Sequence, residues 1–457
     1  VQMYSKAYKD PVGVTVTAPD NTTYKVYYKW QYFGIPVQTA TYNTTFEAAA
    51  PVSYVKVSNE SKYSDVVYYN EWDQLYTDAT LSPFTGYEIT QNVSPGSGKL
   101  ITFKGALNTS DAILSLTYHG NSRTDSPGSG SNIFGNSFTA AIDINKIQFP
   151  SSGVAKTVYI YNTGSLSDWK DNNTSIEEKP GSFVAIPSNV SDAIQGQIPS
   201  MQGFMLIANA TNTTTTTVTI PYSAVLNNSV PQRVKPADKV EFSYLTADVV
   251  GKTDAERVWL FSQPKTSHAY DNGWDGRKIL PGELTVYADE NEEKLQVSTS
   301  DDLDGTYLAL KAGSDTEYTL RINKSKLTGY KTLYLTDLET NTVTDLSALD
   351  EINYNFTATN TTEAVRRFLI TSKDKKNNGT KGPKVKIFNN GSTIRIDNPS
   401  DENGTVLIFD MFGQLRQTGV MNAASVTEIT TSLPPSVYAV RVQAAGIDQS
   451  GKIVIRH

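Results

Sequence analysis

Thr157–Asn162 reads TVYIYN. Successive side chains of an extended chain point to opposite faces, so Val158 and Ile160 share one side and Tyr159 and Tyr161 the other. β-Branched and aromatic residues at this spacing favour a strand. The same texture recurs in both directions: Tyr24–Trp30 reads YKVYYKW, Phe204–Ala208 FMLIA, Arg257–Ser262 RVWLFS, Tyr318–Asn323 YTLRIN and Arg366–Thr371 RRFLIT. Asn, Gly, Asp, Ser and Pro separate these runs, as turns require. No long segment carries apolar residues at helical spacing with caps at both ends. The alternation predicts sheets with one face on a core and the other toward water. Strands recurring every ~8–12 residues predict sandwiches or barrels. The fold class read from this pattern is all-β: multi-domain β-sandwiches with a small Ig-like sandwich at the C-terminus.

Two stretches interrupt the strand pattern. Thr371–Lys384 (TSKDKKNNGTKGPK) is rich in lysine and glycine and has no large apolar residue, the composition of a solvated linker. Asn227–Asp238 (NNSVPQRVKPAD) places two prolines between strand runs. The expected division is a large β-sandwich region over 1–232, as one elaborate sandwich or two packed units, a middle sandwich over 233–372, a flexible linker over 373–382 and a final sandwich over 383–457.

The chain has 457 residues, no cysteine and three histidines, His119, His268 and His457. Disulfides, thiolate metal sites, iron–sulfur clusters and cysteine nucleophiles are excluded, and with three histidines a multi-histidine metal site is nearly excluded. The charges are 40 Lys+Arg against 47 Asp+Glu, a net of -7, and charged residues make up only 19%. A mildly acidic chain with scattered lysines is not expected to bind nucleic acid. No run reaches the roughly 18 apolar residues of a membrane-spanning helix. Val1–Asp10 is polar and has no apolar leader core. This suits a cytosolic protein, or one whose leader has been removed.

Candidate chemistry is sparse. Pro95–Lys99 (PGSGK) ends like a phosphate loop, but Leu100 stands where a magnesium-binding Ser or Thr belongs, and no helix pattern follows. Pro127–Gly135 (PGSGSNIFG) misses the dinucleotide spacing, and both stretches read as turns. His119 and His268 have no nucleophile elbow nearby in sequence and read as structural. The acidic loops at Asp271–Gly276 (DNGWDG) and Asp301–Gly305 (DDLDG) are oxygen-rich in the way calcium loops are. Asp271, Asp275, Asp302 and Asp304 are the candidate ligands, with solvated turns as the alternative and no other cofactor expected. Asn-x-Ser/Thr sequons are dense. Asn21, Asn43, Asn59, Asn108, Asn189, Asn212, Asn360 and Asn378 are candidate glycosylation sites.

Near the C-terminus Thr405–Gly413 reads TVLIFDMFG, Ser432–Val442 reads SLPPSVYAVRV and Gly451–Ile455 reads GKIVI. A strand ending in Asp-x-x-Gly, then Leu-Pro and Val-Tyr with alternating valines, then a terminal Lys-Ile-Val, resembles the C-terminal sorting domain of type IX secretion substrates in Bacteroidota. Asp410, Gly413, Leu433, Pro434, Val437, Tyr438, Val440, Val442, Lys452 and Val454 carry the resemblance. Ser436 departs from it, where glycine is usual. Upstream, Trp30–Gln38, Gly135–Ile144, Ile198–Leu206 and Tyr270–Lys278 resemble the β-rich passenger regions of such proteins. The resemblance implies export behind a cleaved leader, recognition by the type IX secretion machinery and residence on the outside of the outer membrane.

The function expected from these readings is that of a non-enzymatic cell-surface protein, structural or adhesive, self-associating and glycosylated. A surface carbohydrate-binding module is the alternative, with Trp72, Trp169 and Trp274 as aromatic platforms for sugar rings. An exported hydrolase is the third reading.

Overall fold

A computed structural model describes residues 1–5, 7, 9–17, 23–28, 30–47, 53–64, 72–93, 98–119, 130–162, 182–209, 215–226, 242–252, 254–279, 284–291, 293–372, 385–399, 403–444 and 447–455. The expected linker 373–382 lies outside them. The chain forms two compact units, Val1–Lys375 and Lys376–His457. Strands dominate both, in line with the all-β reading.

The first unit holds three sandwiches in chain order. The first is built from β1 (Gln2–Ser5), β2 (Lys9–Thr17), β3 (Thr23–Tyr28), β4 (Gln31–Phe33), β5 (Ala40–Thr41), β6 (Ser53–Ser58), β7 (Trp72–Gln74), β8 (Thr80–Leu81), β9 (Tyr87–Gln91) and β10 (Lys99–Thr102). They form a four-stranded sheet, β4-β9-β6-β7, a ribbon β1-β10, a short pair β5-β8 and a separate hairpin β2-β3. The second contains β11 (Ala112–Leu116), β12 (Ser131–Gly135), β13 (Ile142–Asp143), β14 (Thr157–Asn162), β15 (Ser182–Pro187), β16 (Gln197–Ile198), β17 (Gly203–Ile207) and β18 (Thr216–Ile220). It has a four-stranded sheet β12-β17-β14-β15, a ribbon β11-β18 and a short pair β13-β16. Each sandwich closes on its own apolar core. Phe33, Phe46, Ile89 and Phe103 are central in one, and Phe138, Ile144, Val158 and Phe204 in the other.

The third sandwich comprises β19 (Tyr244–Val250), β20 (Ala255–Ser262), β21 (Gly276–Arg277), β22 (Thr285–Glu290), β23 (Glu293–Ser300), β24 (Thr306–Lys311), β25 (Glu317–Lys326), β26 (Tyr334–Asp337), β27 (Thr342–Asp345), β28 (Glu351–Thr357) and β29 (Val365–Thr371). All belong to one eleven-stranded sheet, ordered β27-β26-β29-β24-β22-β23-β20-β19-β25-β28 with β21 on β23. The β20–β23 pair is parallel. Residues from across this sheet, among them Val249, Leu260, Leu308, Leu335, Phe356 and Phe368, share one core. A flat sheet cannot do that, so this one curls until its ends meet. Tyr354 on β28 donates from its hydroxyl to Asp337 Oδ2 on β26 at 2.9 Å. Arg367 on β29 grips the same carboxylate with Nε and Nη2 at 2.7 and 3.0 Å and also pairs with Glu339. The side chains of Arg367 and Asp337 are almost wholly buried.

The second unit has seven strands, β30 (Lys386–Asn390), β31 (Thr393–Asn398), β32 (Gly404–Phe409), β33 (Leu415–Met421), β34 (Ser425–Thr430), β35 (Ser436–Ala444) and β36 (Ile447–Ile455). They form the sheets β30-β31-β34 and β33-β32-β35-β36 around Ile394, Ile396, Val406, Ile408, Val440 and Val442. This is the small two-sheet sandwich expected at the C-terminus.

One expectation needs correction. Strands such as β14 were expected to turn one face to water. Val158 and Ile160 do point into the second sandwich's core, but Tyr159 and Tyr161 pack into a second cluster with Phe183, Met205, Phe261 and Val297. The outer face of the four-stranded sheet is buried because the third sandwich lies against it.

Candidate functional site

The seam between the second and third sandwiches is built around the acidic DNGWDG loop. Its centre is a strap over Gln263–Ile279, which contains the DNGWDG segment. The turn is local: Trp274 N and Asp275 N both donate to Asp271 O, at 2.9 and 3.0 Å. Asp271 Oδ2 accepts from Ser267 N at 2.7 Å. Gly273 has φ +92°, a left-handed conformation that glycine adopts without steric cost.

The strap then grips the second sandwich through backbone polar groups that no strand satisfies. Asn272 Oδ1 accepts from Lys156 N at 2.7 Å, and its Nδ2 donates to Val154 O at 3.1 Å. Asn189 N donates to Gly273 O at 2.9 Å, and Thr157 Oγ1 to Asp275 O at 3.0 Å. Arg277 N donates to Tyr159 OH at 3.2 Å, and Ala185 N to Gln296 Oε1 at 2.9 Å. A Cβ at Gly276 would sit 2.7 Å from Ala185 Cβ, so the close approach depends on glycine there. Arg277 also makes a two-pronged bond to Glu293 at 2.7 and 2.8 Å and lies 3.7 Å over the Tyr270 ring. Chemically this is a docking joint, held by burial and edge hydrogen bonds.

Asp275 is the titratable centre of the strap and is almost fully buried. Its carboxylate accepts from Asp271 N at 2.6 Å and Thr299 N at 2.7 Å. Burial pushes its pKa up to about 8; those two donors oppose the shift, while the neighbouring Asp271 and Glu290 carboxylates add to it. The raised value makes the folded state the better proton binder. This site's stability is therefore full below the ordinary 3.8 and is lost as pH rises toward about 8. Asp275→Asn is expected to flatten the fall of the urea midpoint across that window. An unchanged pH profile would remove Asp275 from the account.

The candidate calcium ligands are thus placed as backbone acceptors. Asp302 Oδ1 accepts from Asp304 N at 2.9 Å within the turn, and Asp304 Oδ1 accepts from Ser372 N at 2.8 Å, tying that turn to the chain just past β29. Among the described residues no three His, Asp or Glu side chains gather as a metal set. Both described histidines lean on buried carboxylates. His268 Nδ1 lies 3.0 Å from Glu290 Oε2. His119 Nδ1 contacts Glu60, which also accepts from Gly130 N, Thr117 Oγ1 and His119 N at 2.8, 2.8 and 3.1 Å. Burial alone would raise the Glu60 carboxyl; the His119, Gly130 and Thr117 bonds outweigh it and hold the value below the ordinary one. That contribution is present above the ordinary carboxylate range and is lost as pH falls.

The sequons divide by geometry. Nδ2, the atom a glycan would occupy, donates to Asp78 from Asn43, to Asp73 from Asn59 and to Ser137 O from Asn108, at 2.9, 2.8 and 2.8 Å. Asn189 and Asn360 are exposed. Asn21, Asn212 and Asn378 lie outside the described residues, as do Trp169 and His457. Trp72 and Trp274, expected as exposed sugar platforms, are partly buried against the seam cluster, and Trp72 lies 5.1 Å from the Tyr32 ring. Their indoles cover apolar surface, which corrects that expectation.

In the C-terminal sandwich Asp410 builds the β32–β33 turn. Its Oδ1 accepts from Phe412 N and Gln414 N at 2.9 and 3.0 Å, and Gly413 has φ +78°. Tyr438 OH donates to Pro434 O at 3.0 Å, and Leu433 packs at the core's rim. Tyr438, Val440 and Val442 face inward, whereas Lys452 and Val454 face outward and Val437 is half-buried. The sequence reading missed Tyr159, Ala185 and Gln296 as joint residues. The inconspicuous signal was Gly276, one residue after a carboxylate at the end of the acidic DNGWDG loop.

The sandwich architecture and the docking joint suit a scaffold, and comparison with known proteins points the same way. The chain is similar to a fimbrium subunit. It is 32% identical over 329 residues to the minor fimbrium subunit Mfa5 of Porphyromonas gingivalis, covering 68% of this chain and 26% of that protein. The chain thus spans about a quarter of that relative's length. No family model matches. The crystal structure of dimeric latent PorU from Porphyromonas gingivalis aligns over 99% of this chain and 41% of that one, at 10% identity and a TM-score of 0.14, too low to carry an argument.

Proposed function

We propose that this chain is a non-enzymatic structural or adhesive protein of the cell exterior, a subunit of a fimbrium-like assembly. The similarity to a minor fimbrium subunit carries the reading. Sandwiches docked through a buried, hydrogen-bonded joint support it, since a fibre component must hold its shape, and both described histidines are committed to carboxylates. Electron microscopy and adhesion assays on cells with and without the gene test it. Loss of surface fibres or attachment is expected; an unchanged surface with unchanged attachment would sink the reading.

We further propose that the C-terminal sandwich addresses the chain to the type IX secretion machinery. Deleting 383–457 is expected to abolish surface labelling and leave the protein in the periplasm, while undiminished surface labelling would refute this part alone. Glycosylation at the candidate sequons is part of the same proposal, with Asn189 and Asn360 exposed among the described residues. An intact mass equal to the bare polypeptide would remove it.

A further inference from the structure

The first two sandwiches have the same topology. With the β2–β3 hairpin set aside, β1 and β4 to β10 map in order onto β11 to β18. The four-stranded sheets then coincide, β4-β9-β6-β7 on β12-β17-β14-β15, and so do the ribbons β1-β10 and β11-β18 and the short pairs β5-β8 and β13-β16. The sequence echoes this faintly: Phe33-Gly34 matches Phe134-Gly135, and Leu81–Tyr87 (LSPFTGY) matches Ile198–Phe204 (IPSMQGF). In the latter pair Phe84 and Met201 occupy the same position. Both have positive φ, +58° and +62°. That conformation is uncommon for a non-glycine residue, so its recurrence at one place in both turns marks a shared design.

The two sandwiches also meet as mates would across a two-fold axis. Gly34 faces its own counterpart: a Cβ on it would lie 2.6 Å from Gly135 Cα. β4 packs on β17, and the mirrored pair β12 packs on β9. Gly203 lies against Tyr32, and Gly86 against Ile133, the residue equivalent to Tyr32. The knobs are exchanged. Phe84 packs into the second core, 4.9 Å from Phe138, while Met201 packs against the first core. A self-complementary patch that gives and receives the same element is the mark of an isologous interface.

We infer that the patch formed by the left-handed knob and its flanking glycines is a recognition surface whose partner is a second copy of the same module, supplied here within one chain. Each module's core is completed by the other's knob. Hydrogen exchange on the full chain tests this. Phe84→Ala is expected to speed exchange at residues 134–147 of the second module while β6 and β9 keep wild-type rates. Met201→Ala is expected to speed exchange at 33–42 and 101–103 of the first while β14 keeps its rate. Effects confined to each variant's own module, or seen from one knob alone, would overturn the inference. Should either alanine variant fail to fold, Phe84→Leu and Met201→Leu must still give the crosswise pattern.

Discussion

Tyr159→Ala will uncouple the third sandwich from the second. Tyr159 is fully buried, and its ring fills the seam while its hydroxyl accepts from Arg277 N. Removing a buried aromatic ring costs about 3–5 kcal/mol, from lost transfer energy and the cavity left behind. Because the loss falls on a joint, it should appear as a new, earlier transition for residues 244–371. Tryptophan emission during urea unfolding reports on it, since Trp259 and Trp274 line the seam. Tyr159→Phe keeps the ring and loses one hydrogen bond, so a change of about 1 kcal/mol without the new transition is expected. Coincident transitions at the wild-type midpoint in Tyr159→Ala would show that the strap alone holds the joint.

Arg367→Met will be comparably damaging for a different reason. The arginine is the counter-ion of Asp337, whose side chain has no solvent exposure. Its removal strands a buried carboxylate, a change that costs about 3–5 kcal/mol. Tyr354 OH remains as a donor but carries no charge. The double variant Arg367→Met with Asp337→Leu is expected to recover much of the loss, because it removes both charges from the interior. Urea midpoints of the two singles and the double form a cycle, and strictly additive losses would contradict the pairing.

The strands were legible in the sequence because branched and aromatic residues alternate along them. TVYIYN forms β14, and Tyr438, Val440 and Val442 of VYAVRV point inward as their period requires. What sits opposite a face was not legible. Tyr159 looks like a residue for a wet surface, and only the tertiary seam shows why it is aromatic. The acidic strap was noticed for its oxygens, yet those oxygens cap backbone donors within the fold. The paired modules stayed hidden because Phe-Gly and Pro-containing turns are common, and nothing in Phe84 or Met201 as residue types announces a positive φ. The tail motif was legible as a turn and strand pattern, since Asp410 and Gly413 make a local hairpin.

The terminal ribbons of the paired modules bear on how the chain carries load. In the second module β11 and β18 are antiparallel, with Ala112 opposite Ile220. The chain thus enters and leaves at the same end of the ribbon. Tension along the chain would stress that end rung first and peel the bonds one after another, in place of shearing them together. A ribbon pulled this way yields at low force. Mechanical endurance would then rest on what lies beneath it, the swapped knobs and the curled third sheet, whose contacts must give way together.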